Sequence, residues 1–146
     1  MATRDEIEAF LVAYQQALSS FDAERSAALW GTPGTIVGDG FVGSLSSRAD
    51  MAEGLRQSYP LYRALGLARV DHTLLGQVEL TARITRLHVR WHFFDAAGAL
   101  LTDSDYEYLL RRDDDDVLRV YVAVTIDEMR KLIELAAARG IEIPGS

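Results

Sequence analysis

The feature that most restricts this chain is a change of period part-way along it. Apolar residues recur at three- and four-residue steps up to about Leu65, and from Val70 to Ile126 they alternate with polar ones in long runs. Amphipathic helices followed by a strand meander predict an α+β domain, with the helices packed into a curved antiparallel sheet, a cone-shaped barrel, and one further helix at the C-terminus. Such a cone encloses a pocket. The 146 residues suffice for one core, so a single domain over 1–146 is expected.

The local signals place the elements. Thr3 and Glu6 form a capping box ahead of the stripe Ile7, Phe10, Leu11, Tyr14, Leu18 and Phe21. Asp22 caps a short helix running to about Trp30. Thr35–Val37 and Phe41–Leu45 read as short strands around Gly38-Asp39-Gly40, a turn with little steric objection to left-handed dihedrals. Ser47 caps a third helix with the stripe Met51, Leu55, Tyr59 and Tyr62, which Pro60 should kink or interrupt. Long strands follow, one beginning near Val70, then Ile84–Phe94 and, after the hairpin Asp95-Ala96-Ala97-Gly98, a run closed by Asp113–Asp116. Val117–Ile126 is the last strand. Ile126 and Asp127 look like staple and cap of a helix to about Ala138, with Met129, Leu132, Ile133 and Ala136 inward and Gly140 as its stop.

Charge suggests a register. Pairing Phe94 with Ala99 sets Arg90 opposite Asp103, His88 opposite Asp105 and Arg86 opposite Glu107. The same register gathers Thr102, Ser104, Tyr106 and Tyr108 on the face of Leu87, Val89 and Trp91, a mixed apolar and hydroxyl wall suited to a pocket. On the opposite face, Leu118, Val120, Val122, Val124 and Ile126 would lie beside Leu109. An apolar strip of that length needs a cover, either a second copy in a homodimer or the C-terminal helix.

Several classes of function are disfavoured. The formal net charge is −7 and the 15 basic residues are scattered, which argues against nucleic acid. There is no cysteine, hence no disulfide or thiolate metal site, and no apolar run approaches the roughly 18 residues of a membrane span. The opening MATRDEIEAF lacks a signal-peptide core, and a cytoplasmic location is expected. His88 and His92 would be about 13 Å apart on a strand, too far for one metal ion, and the Asp113–Asp116 run lacks the spaced ligands and glycine of a calcium loop. No phosphate loop or nucleophile elbow is present, so neither metal nor cofactor is expected.

Over roughly residues 5 to 126 this order of elements resembles the nuclear-transport-factor-2-like superfamily. The segment ITRLHVRWHFFDAAGALLTDSDYEYLLRRDDDDVLRVYVAV is similar to the final hairpins of its SnoaL-like members. The resemblance implies a fold shared by isomerases, cyclases, dehydratases, epoxide hydrolases and members that only bind or assemble. Ketosteroid isomerase supplies the closest chemical likeness. Tyr14, in AYQQALSSFD, resembles that family's oxyanion-stabilising tyrosine, and Asp39, in TIVGDGF, falls within a residue of its proton-shuttling aspartate, with Gly40 where a proline is usual. The family's second acid, on the penultimate strand, has no counterpart here; Tyr108 or a neighbour stands in its region.

These residues also have plainer readings, Tyr14 as core, Asp39 as a turn residue and the strand tyrosines as β-formers. An epoxide-hydrolase-like set of Arg90, Asp103 and Asp105 falls on the charged outer face. The expectation is a pocket for a small hydrophobic ligand, lined by Trp30, Trp91, Ser104, Tyr106, Tyr108 and Tyr121, in which Asp39 and Tyr14 act by proton transfer. The alternative is a non-catalytic binding or assembly module.

Overall fold

The computed structural model describes residues 2–143; residue 1 and residues 144–146 of the expected domain lie outside the described residues. Four helices and six strands follow in the order α1 (Arg4–Ser19), α2 (Ala23–Ala28), β1 (Trp30–Gly38), β2 (Phe41–Leu45), α3 (Arg48–Ala64), β3 (Arg69–Glu79), β4 (Ile84–Phe94), β5 (Leu100–Arg112), β6 (Leu118–Thr125) and α4 (Glu128–Ala138). The strands form one curved sheet in the order β2-β1-β6-β5-β4-β3, with the helices against its inner face. The sheet is open, with β2 and β3 as its edges, and it is mixed, because β1 runs parallel to β6. The expected α+β architecture of helices packed into a curved sheet is present, and the parallel β1–β6 pair is its departure from an all-antiparallel sheet.

The helix starts are set by side chains. The Glu6 backbone N–H donates to the Thr3 hydroxyl at 3.1 Å while the Thr3 N–H donates to the Glu6 carboxylate at 3.2 Å, and Asp22 and Ser47 accept from Arg25 and Asp50 in the same manner. Helix α3 continues through Pro60 to Ala64. Ile7, Leu11 and Met51 are fully enclosed against Leu87, Val89 and Val120 of the inner sheet face.

Between β4 and β5 the register differs from the charge-based one by two residues. Arg90 lies opposite Asp105, His88 opposite Glu107, His92 opposite Asp103 and Arg86 opposite Leu109. The displacement arises in two steps of one. Asp95, not Phe94, closes the hairpin on Ala99 through a 2.9 Å hydrogen bond, and a bulge between Phe93 and Phe94 leaves Leu101 without a partner. Two single slips restore parity, so Ser104, Tyr106 and Tyr108 stay on the face of Trp91, Val89 and Leu87. Asp105 draws on the residue opposite it, Arg90, and on the diagonal His88. Asp105 accepts from Arg90 Nε at 2.7 Å, Arg90 Nη2 at 3.1 Å and His88 Nε2 at 3.1 Å, and this holds its carboxyl below the usual range.

A second bulge, between Leu109 and Leu110, breaks the expected outer strip. Val120 pairs with Leu110 and both are buried inward, whereas Val122 pairs with Leu109. Leu118 packs against the inner core as well. The residue spent in the bulge is Tyr121.

Strand β6 meets β5 only from Tyr106 onward, leaving the first half of β5 without a strand beside it. Helix α4 occupies that edge. The Ile126 N–H donates to the Asp105 carbonyl at 3.1 Å, the Asp105 N–H to Asp127 Oδ1 at 2.8 Å, and Lys131 meets Asp103 at 2.5 Å. Asp127 therefore serves the strand, and its side chain makes no helix cap. Leu132 and Ala136 pack on Leu65, while Met129 and Ile133 of the expected apolar side are exposed. Among the described residues no helix is long and apolar enough to cross a membrane.

Candidate functional site

A cavity of about 450 Å³ lies between the helices and the inner sheet face. That is within the usual range for small-molecule sites. Its floor is aromatic. Tyr14, on the third turn of α1, stacks on Trp91 of β4 with ring centroids 5.4 Å apart, and the Trp91 indole N–H donates to the Tyr108 hydroxyl at 2.7 Å. Tyr106 and Tyr108, two apart on β5 and hence on one face, are stacked at 5.5 Å. Helix α3 contributes Met51, Tyr59 and Tyr62, the last stacked on Phe93 at 6.0 Å. Exposed Phe41 and Gln57 belong to the lining, which puts the mouth between the β1–β2 hairpin and α3.

One carboxyl enters this wall. Glu128 is the first residue of α4, carried there because Asp127 is tied to β5, and it accepts a short hydrogen bond from the Tyr62 hydroxyl. Loss of solvation raises its pKa above the ordinary glutamate value, opposed by the Tyr62 hydrogen bond. Among the described residues no lysine, arginine or histidine lines the cavity to hold the carboxylate charged.

The phenols respond to the same environment. Burial pushes Tyr14 up to about 12, with the nearby Trp30 N–H opposing and the Glu128 and Tyr59 charges adding to the rise. Tyr62 is raised well above the ordinary value by burial and then by Glu128, and Tyr108 by burial and then by Tyr14. All three remain protonated donors at neutral pH. The Tyr108 hydroxyl accepts from Trp91, so its own proton is free for a ligand.

Trp30 Nε1 and the Tyr59 hydroxyl are enclosed, the first beside the Tyr14 hydroxyl and the second beside Ser26. Trp30 opens β1, and Tyr59, on α3, sets its ring edge-on to Phe21 at 5.2 Å.

Five of the eight residues expected at the site converge on the cavity: Tyr14, Trp30, Trp91, Tyr106 and Tyr108. Asp39 does not. It sits exposed in the β1–β2 turn, outside the lining, because a two-residue hairpin loop carries its side chain into solvent. Tyr121 is displaced by the bulge; its ring lies against Gly31 and its hydroxyl donates to Asp113 Oδ1 at 2.7 Å, away from the cavity. Ser104 is opposite Trp91 in register and buried, with an unpaired hydroxyl, yet it is not part of the lining. Glu128, Tyr59 and Tyr62 are members that sequence reasoning missed. The two tyrosines were visible as α3's inward stripe, whereas nothing local distinguishes Glu128 from any acid in a first helical turn.

The model of the family described as "NTF2-like protein (DUF6841)" matches residues 5–128. No curated protein matches the sequence. Among solved structures, a domain of unknown function with a cystatin-like fold from Nostoc punctiforme superposes with a TM-score of 0.69 at 15% identity, over 96% of this chain and 99% of that one. A ketosteroid isomerase-like protein from Erwinia carotovora atroseptica superposes at 0.60 with 18% identity, covering 82% and 92% of the two chains. A Catenulispora acidiphila structure in complex with S-DNPA superposes at 0.65 with 13% identity, covering 88% and 96%. At such identities the likeness concerns the fold.

Proposed function

This chain belongs to the NTF2-like protein family DUF6841, and from that premise we propose that its cavity binds a small, largely apolar molecule on which Glu128 moves a proton. The observation that carries the reading is the Glu128 carboxyl, raised in pKa and bonded to the Tyr62 phenol in a wall that is mostly apolar and has no basic side chain among the described residues. That a structural neighbour was solved in complex with S-DNPA supports the binding part.

The chemistry follows from the groups present. Ionised Glu128 takes a proton from a carbon beside a carbonyl; the C–H electron pair becomes a carbon–carbon double bond and the carbonyl oxygen gains the charge. A neutral Tyr14, unable to ionise near neutrality, donates to that oxygen. Return of the proton to the same carbon gives exchange, and to a conjugated one gives isomerisation. A base raised towards working pH removes such protons more effectively than an ordinary carboxylate. The role first sought in Asp39 thus passes to a carboxyl inside the cavity.

The test is hydrogen–deuterium exchange and double-bond migration on a panel of cyclic enolisable ketones. Glu128→Gln should lower the rate by about 100-fold or more, Tyr14→Phe by a smaller factor, and Asp39→Asn should leave it unchanged. Equal rates in wild type and Glu128→Gln refute the catalytic part. Ligand binding without exchange in any variant leaves a binding module.

A further inference from the structure

The cavity holds a group that can carry negative charge and no group to balance it. Glu128 lines it with part of its surface still open, and among the described residues its carboxylate accepts from the Tyr62 hydroxyl alone. The other titratable groups nearby are neutral phenols or are turned elsewhere. Tyr14 of α1 and Tyr108 of β5 share the wall, Asp127 is tied to the Asp105 N–H, Lys131 is paired with Asp103, and Arg130 reaches Glu134 at the surface. A carboxylate taken out of water without a counter-ion is unfavourable, and Glu128 responds by holding its proton more tightly. A positive charge brought in by a ligand removes that penalty. The rest of the wall suits such a charge: Tyr14, Tyr62 and Tyr106 also keep surface open among the lining residues, beside Trp91 and Phe93. Aromatic rings attract cations, the more so where water is excluded.

We infer that the cavity is a receptor for a compact, largely apolar ammonium ion, tertiary or quaternary, which pairs with the Glu128 carboxylate among the aromatic rings. The ligand's charge is added here to the reading of the cavity as a ligand site, on which it rests; the proton-transfer step is not needed for it. Because the cation pairs with the group that takes the proton in that step, it competes with an enolisable ketone for the site. An anionic ligand is a poorer match: Glu128 repels a carboxylate or phosphate, and among the described residues the lining has no basic side chain to receive one. A primary ammonium is also poorer, since it brings three N–H donors to a wall with a single carboxylate, itself already bonded to Tyr62. A bare metal ion has no ligand set, as the described residues hold no group of three acidic or histidine side chains placed for one. The formal charge of −7 gives the field of the whole chain the same sign as the site.

Matched probes separate these cases. Benzyltrimethylammonium and neopentylbenzene have nearly the same shape and differ in carrying a quaternary nitrogen or a quaternary carbon, and phenylacetate supplies the anion. By calorimetry at mildly alkaline pH, wild type should bind the ammonium about tenfold or more tighter than the hydrocarbon. Glu128→Gln should collapse that preference while changing hydrocarbon affinity little. Asp39→Asn removes a negative charge that is exposed and outside the cavity, and should retain the preference; its loss there would mark attraction to the surface and overturn the inference. A measurement on the unaltered protein is added. In a carboxyl NMR titration, the ammonium should move the Glu128 midpoint down towards the ordinary glutamate value, because the bound charge favours the ionised form, and neopentylbenzene should not. Retention of the preference in Glu128→Gln, a static Glu128 midpoint in the ammonium complex, or tighter binding of phenylacetate overturns the inference. Ammonium binding equal to or weaker than hydrocarbon binding overturns it while leaving the cavity a ligand site. Failure of every probe to bind removes both readings.

Discussion

The Trp91–Tyr108 contact allows a single oxygen atom to be weighed. Tyr108→Phe removes the hydroxyl and keeps the ring, so the stacking on Tyr106 at 5.5 Å and the approach of Tyr14 at 6.2 Å are retained. What is lost is the acceptor 2.7 Å from the Trp91 indole N–H. Both residues are nearly enclosed, at 2% and 3% exposure, and no other partner for that N–H is present among the described residues. An orphaned buried donor costs about 1–3 kcal/mol, well above the net value of an exposed hydrogen bond. For a chain of this length that lowers Tm by roughly 3–10 °C. Differential scanning calorimetry with urea unfolding on wild type, Tyr108→Phe, Trp91→Phe and the double variant closes a thermodynamic cycle. With Trp91 replaced no donor remains to be orphaned, so Tyr108→Phe should then cost about 1 kcal/mol less than in wild type. Additive losses would refute the claim that this bond, rather than ring packing, is what holds Tyr108 in place.

Four further outcomes are expected. Because burial raises the Glu128 pKa above 4.5 in the folded state, the folded protein holds that proton more tightly than the unfolded chain; this contribution is full below about 4.5 and is lost as pH rises through the folded pKa, so denaturation across pH should show Glu128→Gln gaining on wild type as pH increases, and parallel curves would refute it. A methyl at Gly31 would overlap the Tyr121 ring, so Gly31→Ala should lower stability by about 1–3 kcal/mol, and Tyr121→Ala should relieve part of that loss in the double variant. Gly98 has φ +84 and Gly40 has open space around its Cα and no positive φ; Gly98→Ala should destabilise by about 1 kcal/mol while Gly40→Ala is neutral or mildly stabilising. If the protein pairs through the outer sheet face, replacing half-exposed Val124 and Ile126 with lysine should reduce the sedimenting mass to the 16.2 kDa of one chain, whereas a monomeric wild type would exclude the dimer.

The fold was legible where one period persisted. Three helix caps, the order of the elements and the faces of β4 and β5 followed from Thr3, Asp22, Ser47 and strict alternation. The exact register was not, because pairing energies of exposed charges are a few tenths of a kcal/mol and turn geometry outweighs them. Asp95 collects the N–H groups of Ala97 and Ala99 at 2.9 Å, a local arrangement that fixes the loop whatever faces Arg90. The glycine-flanked turn at Asp39 shows the same limit from the other side: none of Gly38, Asp39 and Gly40 has a positive φ, so glycine content did not report left-handed geometry.

The site divides along the same physical line. Tyr14, Trp91, Tyr106 and Tyr108 were found because helical phase and strand alternation decide which way they point, and the two bulges that shifted registers left their faces intact. Tyr121 was lost because it is the residue a bulge removes from the alternation. Glu128 was out of reach for a different reason. Its entry into the cavity depends on where α4 begins, and that depends on β6 ending at Thr125 and on the Asp127 carboxylate meeting the Asp105 N–H across 22 residues of sequence. Asp127→Ala should therefore act on Glu128 without touching the cavity: with the tether gone, the first turn of α4 is freed, Glu128 regains solvent, and the acid limb of its titration moves down towards the ordinary glutamate value. Carboxyl NMR titration of Glu128 in both proteins decides it, and an unchanged midpoint would mean that the Tyr62 hydrogen bond alone positions the group.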